Sequence, residues 1–273
     1  MPTYNEEKFI YQAIDSLQNQ SFKDWFLFIS DNTSNDDTIR ICEELSETDS
    51  RIIVYKQKNN IGLLNNFMYV FDVFKNNYSC DFFMWAQADD LWEMSFLDTT
   101  ISLLEKKPEC GVSFTGMDNI DSFNNLVRQY PSFNRFTNNS TFKIQLKFLL
   151  EPEILGKCNI FLGVYKRKVI EDLITRLPFA QRYADYPLSF GIVSSTKLAI
   201  SRKVLFHKRE DSSDDIENYP SPIIIMNIEN GLFSLIEHIK LHISYLKHVD
   251  NIYIKTLIIL IMFVRMPRSA FVT

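Results

Sequence analysis

Glycine is scarce in this chain: seven residues in 273, at positions 62, 111, 116, 156, 163, 191 and 231, with no two spaced as G-x-G. Neither a dinucleotide fingerprint nor a phosphate-cradling P-loop can be assembled from them, so recognition of a nucleotide would fall to side chains, helix termini and metal. Cysteine is equally sparse. Cys42, Cys80, Cys110 and Cys158 are scattered without a C-x-x-C pair, which argues against a zinc site and for reduced thiols in the cytoplasm. Positive charge is in deficit, the formal net charge being -5, and no dominant basic face for nucleic acid is implied. The N-terminus shows no basic segment followed by an apolar one, so no signal peptide is expected. The apolar run Leu257 to Val264 is far shorter than the roughly 20 residues needed to span a bilayer.

What the chain does contain is 46% hydrophobic residues, enough to bury one sizeable core with a smaller annex. Its most informative stretch runs from Phe82 to Trp92, where the apolar Phe82-Phe83-Met84-Trp85 empties into Asp89 and Asp90. Such a run reads as a buried strand whose end delivers two carboxylates to a cleft, the position where open α/β sheets hold their ligands. Adjacent carboxylates repel, and a hard divalent cation would resolve the conflict. The competing reading makes Asp89 a cap for the helix beginning near Met94. Phe26 to Ile29, Ile52 to Tyr55 and Val112 to Phe114 read as further strands, and Asn5 to Gln18, Leu64 to Lys75 and Phe96 to Leu104 as helices, with Asn5 capping the first. This alternation predicts a mostly parallel sheet with helices on both faces.

Three segments, Pro2-Thr3-Tyr4-Asn5-Glu6-Glu7, Ile29-Ser30-Asp31-Asn32-Thr33-Ser34 with Asn35-Asp36-Asp37-Thr38, and Ala88-Asp89-Asp90-Leu91-Trp92, resemble in order and spacing the landmarks of the family 2 nucleotide-sugar glycosyltransferases. The resemblance covers the first half well and the second loosely. It implies a GT-A type α/β fold, a Rossmann-like sheet flanked by helices, with a nucleotide-sugar half over 1–120, an acceptor half over 121–225 and a C-terminal helical tail over 226–273. It also implies a buried first strand ahead of Pro2, which this chain lacks, so a mistaken start or a truncated relative is expected. By the same resemblance Pro2, Tyr4, Asn5, Asp31, Asn32, Asn66, Gln87 and Asp89 line the donor. Asn32 stands where many relatives have Asp reading a uracil edge, and Gln87 where many have another acid; Asn66 is alternatively a helix cap. Mg²⁺ or Mn²⁺ is expected at Asp89 and Asp90, with His207 as a weaker candidate ligand. A UDP-sugar is favoured as donor, and a glycan or lipid-linked molecule in surface polysaccharide synthesis as acceptor.

In the second half, Gln129 to Thr141 reads as a loop, Phe142 to Leu150 as a helix, and Lys166 and Arg167 as solvated charges. Tyr183-Ala184-Asp185-Tyr186-Pro187 resembles the place of the family's catalytic base, Asp185, although Asp185 is alternatively an N-cap. His207-Lys208-Arg209 offers cations to a departing diphosphate, with Lys208 and Arg209 as donor contacts. Glu210 to Ser221 reads as a loop or lid, and Asn230 to Lys247 as an amphipathic helix whose His238 and His242 stand four apart. The apolar run near the C-terminus, with Lys240, Lys247, Lys255, Arg265 and Arg268 around it, fits either a peripheral contact with the inner face of a membrane or a buried packing helix. A catalytically silent binding protein and a metal-dependent nucleotidyltransferase are the alternative functions.

Overall fold

The computed structural model describes residues 1–151, 155–176, 185–210, 243 and 245–264. Tyr183, the segment from 211 to 221, His238, His242, Arg265 and Arg268 lie outside the described residues.

The first half builds a parallel sheet of β1 (Pro2–Thr3), β2 (Leu27–Asp31) and β3 (Ile52–Lys56), in that order. Helices α1 (Ile10–Gln18) and α2 (Thr38–Thr48) supply the crossovers that parallel strands require, and α3 (Leu63–Asn77) follows β3. Strand β1 has two residues, pairing Pro2 with Ser30 and Thr3 with Asp31. Helix α1 starts five residues later than the sequence pattern suggests, because Asn5 adopts a left-handed backbone, φ 56°, in place of a capping conformation.

The second sheet runs β4-β8-β6-β9-β5, made of β4 (Phe82–Phe83), β5 (Leu91–Trp92), β6 (Cys110–Ile120), β8 (Val164–Lys166) and β9 (Lys197–Arg209), with β7 (Leu126–Gln129) on β6. Here the parallel expectation fails for most pairs. Only β6 and β9 run parallel, while β4–β8, β8–β6, β5–β9 and β6–β7 are antiparallel. Helix α4 (Phe96–Lys106) packs on this sheet, and α5 (Thr141–Leu150), α6 (Arg167–Arg176), α7 (Asp185–Ser195) and α8 (Ile252–Val264) complete the described helices.

Strand β6 is buried along its whole length despite carrying Ser113, Thr115, Asp118 and Asn119. Some of those polar groups find partners: Thr115 donates to the Gly116 carbonyl, Asn119 Nδ2 to the Tyr130 hydroxyl, and Asp118 bonds His207 Nδ1, while Ser113 Oγ and Asn119 Oδ1 have no hydrogen-bond partner. Gly116 is required where β9 bulges against it, since a Cβ there would stand 3.1 Å from the carbonyl oxygens of Arg202 and Lys203. An aromatic core joins the layers, with Phe83 edge-on to Trp85 at 4.8 Å and Trp92, Phe96 and Phe114 grouped around Phe206.

Two polar struts lock α1 and α3 to the second sheet. Gln20, fully buried, donates to Glu93 O and accepts from Leu97 N, tying the end of α1 to the start of α4. Arg167 is no solvated charge: its guanidinium closes the C-terminus of α3 through the carbonyls of Lys75 and Tyr78 and lies over Phe74. Lys166 likewise donates to Pro108 O. Between β2 and β4, which do not pair with one another, runs an apolar groove of about 690 Å³ lined by Trp25, Phe26, Phe28, Phe82 and Met84 among others. None of the candidate carboxylates lines it, so it is separate from the site below.

Candidate active site

The C-terminal end of β2 carries the first element of the site. Asp31 is buried; its Oδ2 accepts from Ser34 N at 3.1 Å, while Oδ1 has no hydrogen-bond partner. A buried carboxylate oxygen left unpartnered is costly, and it is the kind of atom a ligand donor satisfies. The turn beyond is strained: Thr33, β-branched, holds φ 68° with its hydroxyl on the Gln57 carbonyl. Asn5 fastens the neighbouring loop to this turn, its Oδ1 accepting from Asn35 N and its own N–H donating to Ser34 Oγ. Pro2 is buried in β1, whereas Tyr4 is 43% exposed beside it in sequence.

Asn32 and Asn66 turn their amides inward. Asn32 donates to Asn60 Oδ1 at 2.9 Å and accepts from Ile61 N at 2.8 Å, clasping the loop that leads into α3. Asn66 lies inside α3 and spends its amide on Ser30, accepting from Oγ at 2.6 Å and donating to the carbonyl at 2.9 Å. It is neither a helix cap, a place taken by Gly62, nor an exposed group.

The adjacent carboxylates Asp89 and Asp90 sit in different surroundings. Asp90 is fully buried; Oδ1 accepts from Arg209 N at 3.0 Å and Oδ2 has no hydrogen-bond partner. Burial first, and the charge of Asp89 second, push its carboxyl well above the ordinary range, against the pull of Lys208 and Arg209. Asp90 is thus a protonation-prone anchor between the loop and β9. Asp89 and Gln87 are half-buried on the same loop.

Asp185 is the first residue of α7. Burial pushes its carboxyl up to about 6, opposed by the Lys208 ammonium and by the N–H groups of residues 185 and 186. Helix α7 is fixed from three sides: Ser189 Oγ donates to Cys158 O, Phe190 packs between Phe148 and Tyr245, and the His248 ring fills the notch at Gly191, where a Cβ would come within 2.7 Å of it.

The three cations expected at the end of β9 divide by face. His207 Nδ1 bonds Asp118 and Nε2 bonds Glu93 Oε1 at 3.1 Å, so both ring nitrogens are engaged. Arg209 is buried with its guanidinium over Phe9, donating to Asp89 O, Asp121 O, Gln12 Oε1 and Asn124 Oδ1. It braces the Asp89 loop against the turn at Asp121 and Asn124. Lys208, half-buried and 4.0 Å from Glu210 Oε1, is the cation that acts on both Asp90 and Asp185. Among the described residues no group of three or more His, Cys, Asp and Glu side chains forms a ready metal cluster. The bracing roles of Gln20, Arg209 and Asn60 went unread in the sequence, because each partner lies tens of residues away.

The Glycosyl transferase family 2 profile matches residues 1–174. An uncharacterized glycosyltransferase of Methanocaldococcus jannaschii is 26% identical over 177 residues, 64% of this chain and 59% of the relative. The chain therefore spans under two thirds of that relative's length. Among solved structures, S. aureus TarS 1-349 superposes with a TM-score of 0.60 at 16% identity, covering 90% of this chain and 68% of TarS. Its complex with UDP gives 0.57 over the same shares. The mannosyltransferase PcManGT of Pyrobaculum calidifontis, solved with GDP-Man and Mn2+, gives 0.53 at 13% identity over 95% of this chain and 72% of that one. These likenesses establish a GT-A type fold, and with a profile match over more than half its length the chain belongs to glycosyl transferase family 2.

Proposed function

We propose that the chain transfers a sugar from a nucleoside-diphosphate donor, a UDP-sugar by preference, to a hydroxyl of a glycan or lipid-linked acceptor, inverting the anomeric centre. The observation that carries this reading is the family 2 profile match over residues 1–174, joined by the head of α7, where burial raises the Asp185 carboxyl to about 6 and the Lys208 charge opposes that rise. A base titrating near neutrality beside a cation suits proton removal coupled to departure of an anion. Asp185 takes the proton of the acceptor hydroxyl. The freed oxygen bonds to the anomeric carbon as the bond from that carbon to the phosphate oxygen breaks, and the nucleoside diphosphate leaves with the electron pair. Lys208 stabilises negative charge developing on that side. The unpartnered Oδ1 of Asp31 accepts a donor hydroxyl or N–H, and Tyr4 lies against the nucleotide.

The oxygen chemistry of the Asp89 loop fits a hard divalent cation, because such ions take one or two carboxylates and complete their shell with phosphate oxygens and water. Mg²⁺ or Mn²⁺ held by Asp89 would offset charge on the leaving diphosphate. Calorimetric titration with UDP and Mn²⁺ tests this. Binding is expected to need both and to be lost in Asp89→Ala; equal affinity for UDP in excess chelator would overturn it.

Among the described residues no helix is long and apolar enough to cross a membrane. Helix α8 nevertheless exposes Ile252, Tyr253, Ile259 and Leu260, which supports peripheral contact with the inner leaflet and an acceptor presented there, as in surface polysaccharide synthesis.

A further inference from the structure

The turn joining β6 to β7 is held far more firmly than a solvent loop needs. Asp121 accepts from Phe123 N and Asn125 N at 2.8 Å and from Asn125 Nδ2 at 3.1 Å. Asn124 occupies a left-handed backbone, φ 64°. Arg209 then grips the same turn at Asp121 O, 2.6 Å, and Asn124 Oδ1, 2.7 Å. The same guanidinium donates to Asp89 O at 2.9 Å. One planar group therefore bridges the turn and the loop carrying the donor carboxylate, which places the turn at the rim of the site.

At the tip of this braced turn stands Phe123, 83% exposed, with Ser122, Asn124 and Asn125 beside it and the exposed Leu126 and Val127 following. A large aromatic left in water on a preorganised turn forfeits the free energy of burial, and a rigid platform lowers the ordering cost of a ligand that covers it. Pyranose rings present an apolar face of axial C–H groups that packs on aromatic rings, with hydroxyls at the ring edge for neighbouring amides. We propose that Phe123 is the aromatic floor of an acceptor subsite that takes one sugar ring, with Asn124 and Asn125 at its edge. The assignment of this ring to the acceptor rests on the transferase reading above.

Saturation-transfer NMR on the full chain with UDP and Mn²⁺ tests it, using methyl β-D-glucopyranoside, methyl β-D-galactopyranoside and octyl β-D-glucopyranoside as probes. Ring protons of at least one methyl glycoside should receive saturation, with affinity at least tenfold weaker in Phe123→Ala and retained in Phe123→Trp. UDP affinity should be equal in all three proteins. No saturation of either methyl glycoside, an unchanged signal in Phe123→Ala, or saturation confined to the octyl chain would overturn the subsite. The last result would assign the turn to lipid. Should UDP bind to none of the proteins while the ring signal still depends on Phe123, the subsite stands and the donor reading fails.

Discussion

Replacing Asp185 with Asn separates the cost of this carboxylate from its use. The folded state holds the Asp185 proton up to about pH 6, whereas an unfolded chain releases it near the ordinary aspartate value. The sign follows from linkage: between those values the native state binds more protons than the unfolded one, so stability falls as pH rises from about 4 to 6 and is then level. At 1.36 kcal/mol per pH unit the full penalty is ~3 kcal/mol, reduced to ~2 because the side chain is partly open to solvent. Asn matches the protonated acid in shape and carries no charge to desolvate. Asp185→Asn should therefore equal the wild type in urea at pH 4 and exceed it by ~2 kcal/mol at pH 8, worth roughly 4–8 °C in Tm for a chain of this size. In the same variant sugar transfer should vanish while UDP binding persists. An equal stability difference at both pH values, or a less stable variant at pH 8, would refute the idea that the site stores a desolvated carboxylate.

The His248 imidazole gives the opposite slope: burial first, with Arg176 and Lys247 behind it, lowers it to about 4, so stability is lost as pH falls from 6.5 towards 4, by ~2 kcal/mol at pH 5. His248→Leu should flatten that part of the profile in urea titrations, and an unchanged acid limb would exclude the group. Asn32→Asp sets a carboxylate against Asn60 Oδ1, which cannot turn away without losing its bond to Gly62 N; a loss of ~1–2 kcal/mol is expected by the same assay. Lys208→Met removes the leading downward influence on Asp185, so its carboxyl, followed by carbon-detected NMR, should titrate above 6, whereas His207→Gln should leave it in place.

Much of the first half was legible because its information is local. Continuous apolar runs marked β2 and β3, helical spacing marked α1, α3 and α4, and the polar residues after each strand marked the rim of the site. What escaped depends on partners remote in sequence. Strand β6 reads as three residues because Thr115, Asp118 and Asn119 interrupt the apolar pattern after Phe114, yet β7, β8 and β9 pair with it over its length. The family resemblance places Asn66 at the donor, and the packing of α3 against β2, which turns its amide to Ser30, has no local signal in the sequence.

The cationic run His207-Lys208-Arg209 shows where the sequence held more than periodicity of charge suggests. Read as a cluster, it offers three positive groups to one diphosphate. Read as the end of a strand, it must alternate, with residues 207 and 209 on one face and 208 on the other. The structure follows the alternation: His207 and Arg209 reach Glu93, Gln12 and Phe9 on the α1 side, while Lys208 answers to Asp185. Asp89 and Asp90 obey the same logic, one carboxylate bonded to the β9 backbone and its neighbour left at the rim. In the proposed transfer, the bracing Arg209 and His207 fix the loops, and Lys208 supplies the positive charge for an acidic donor.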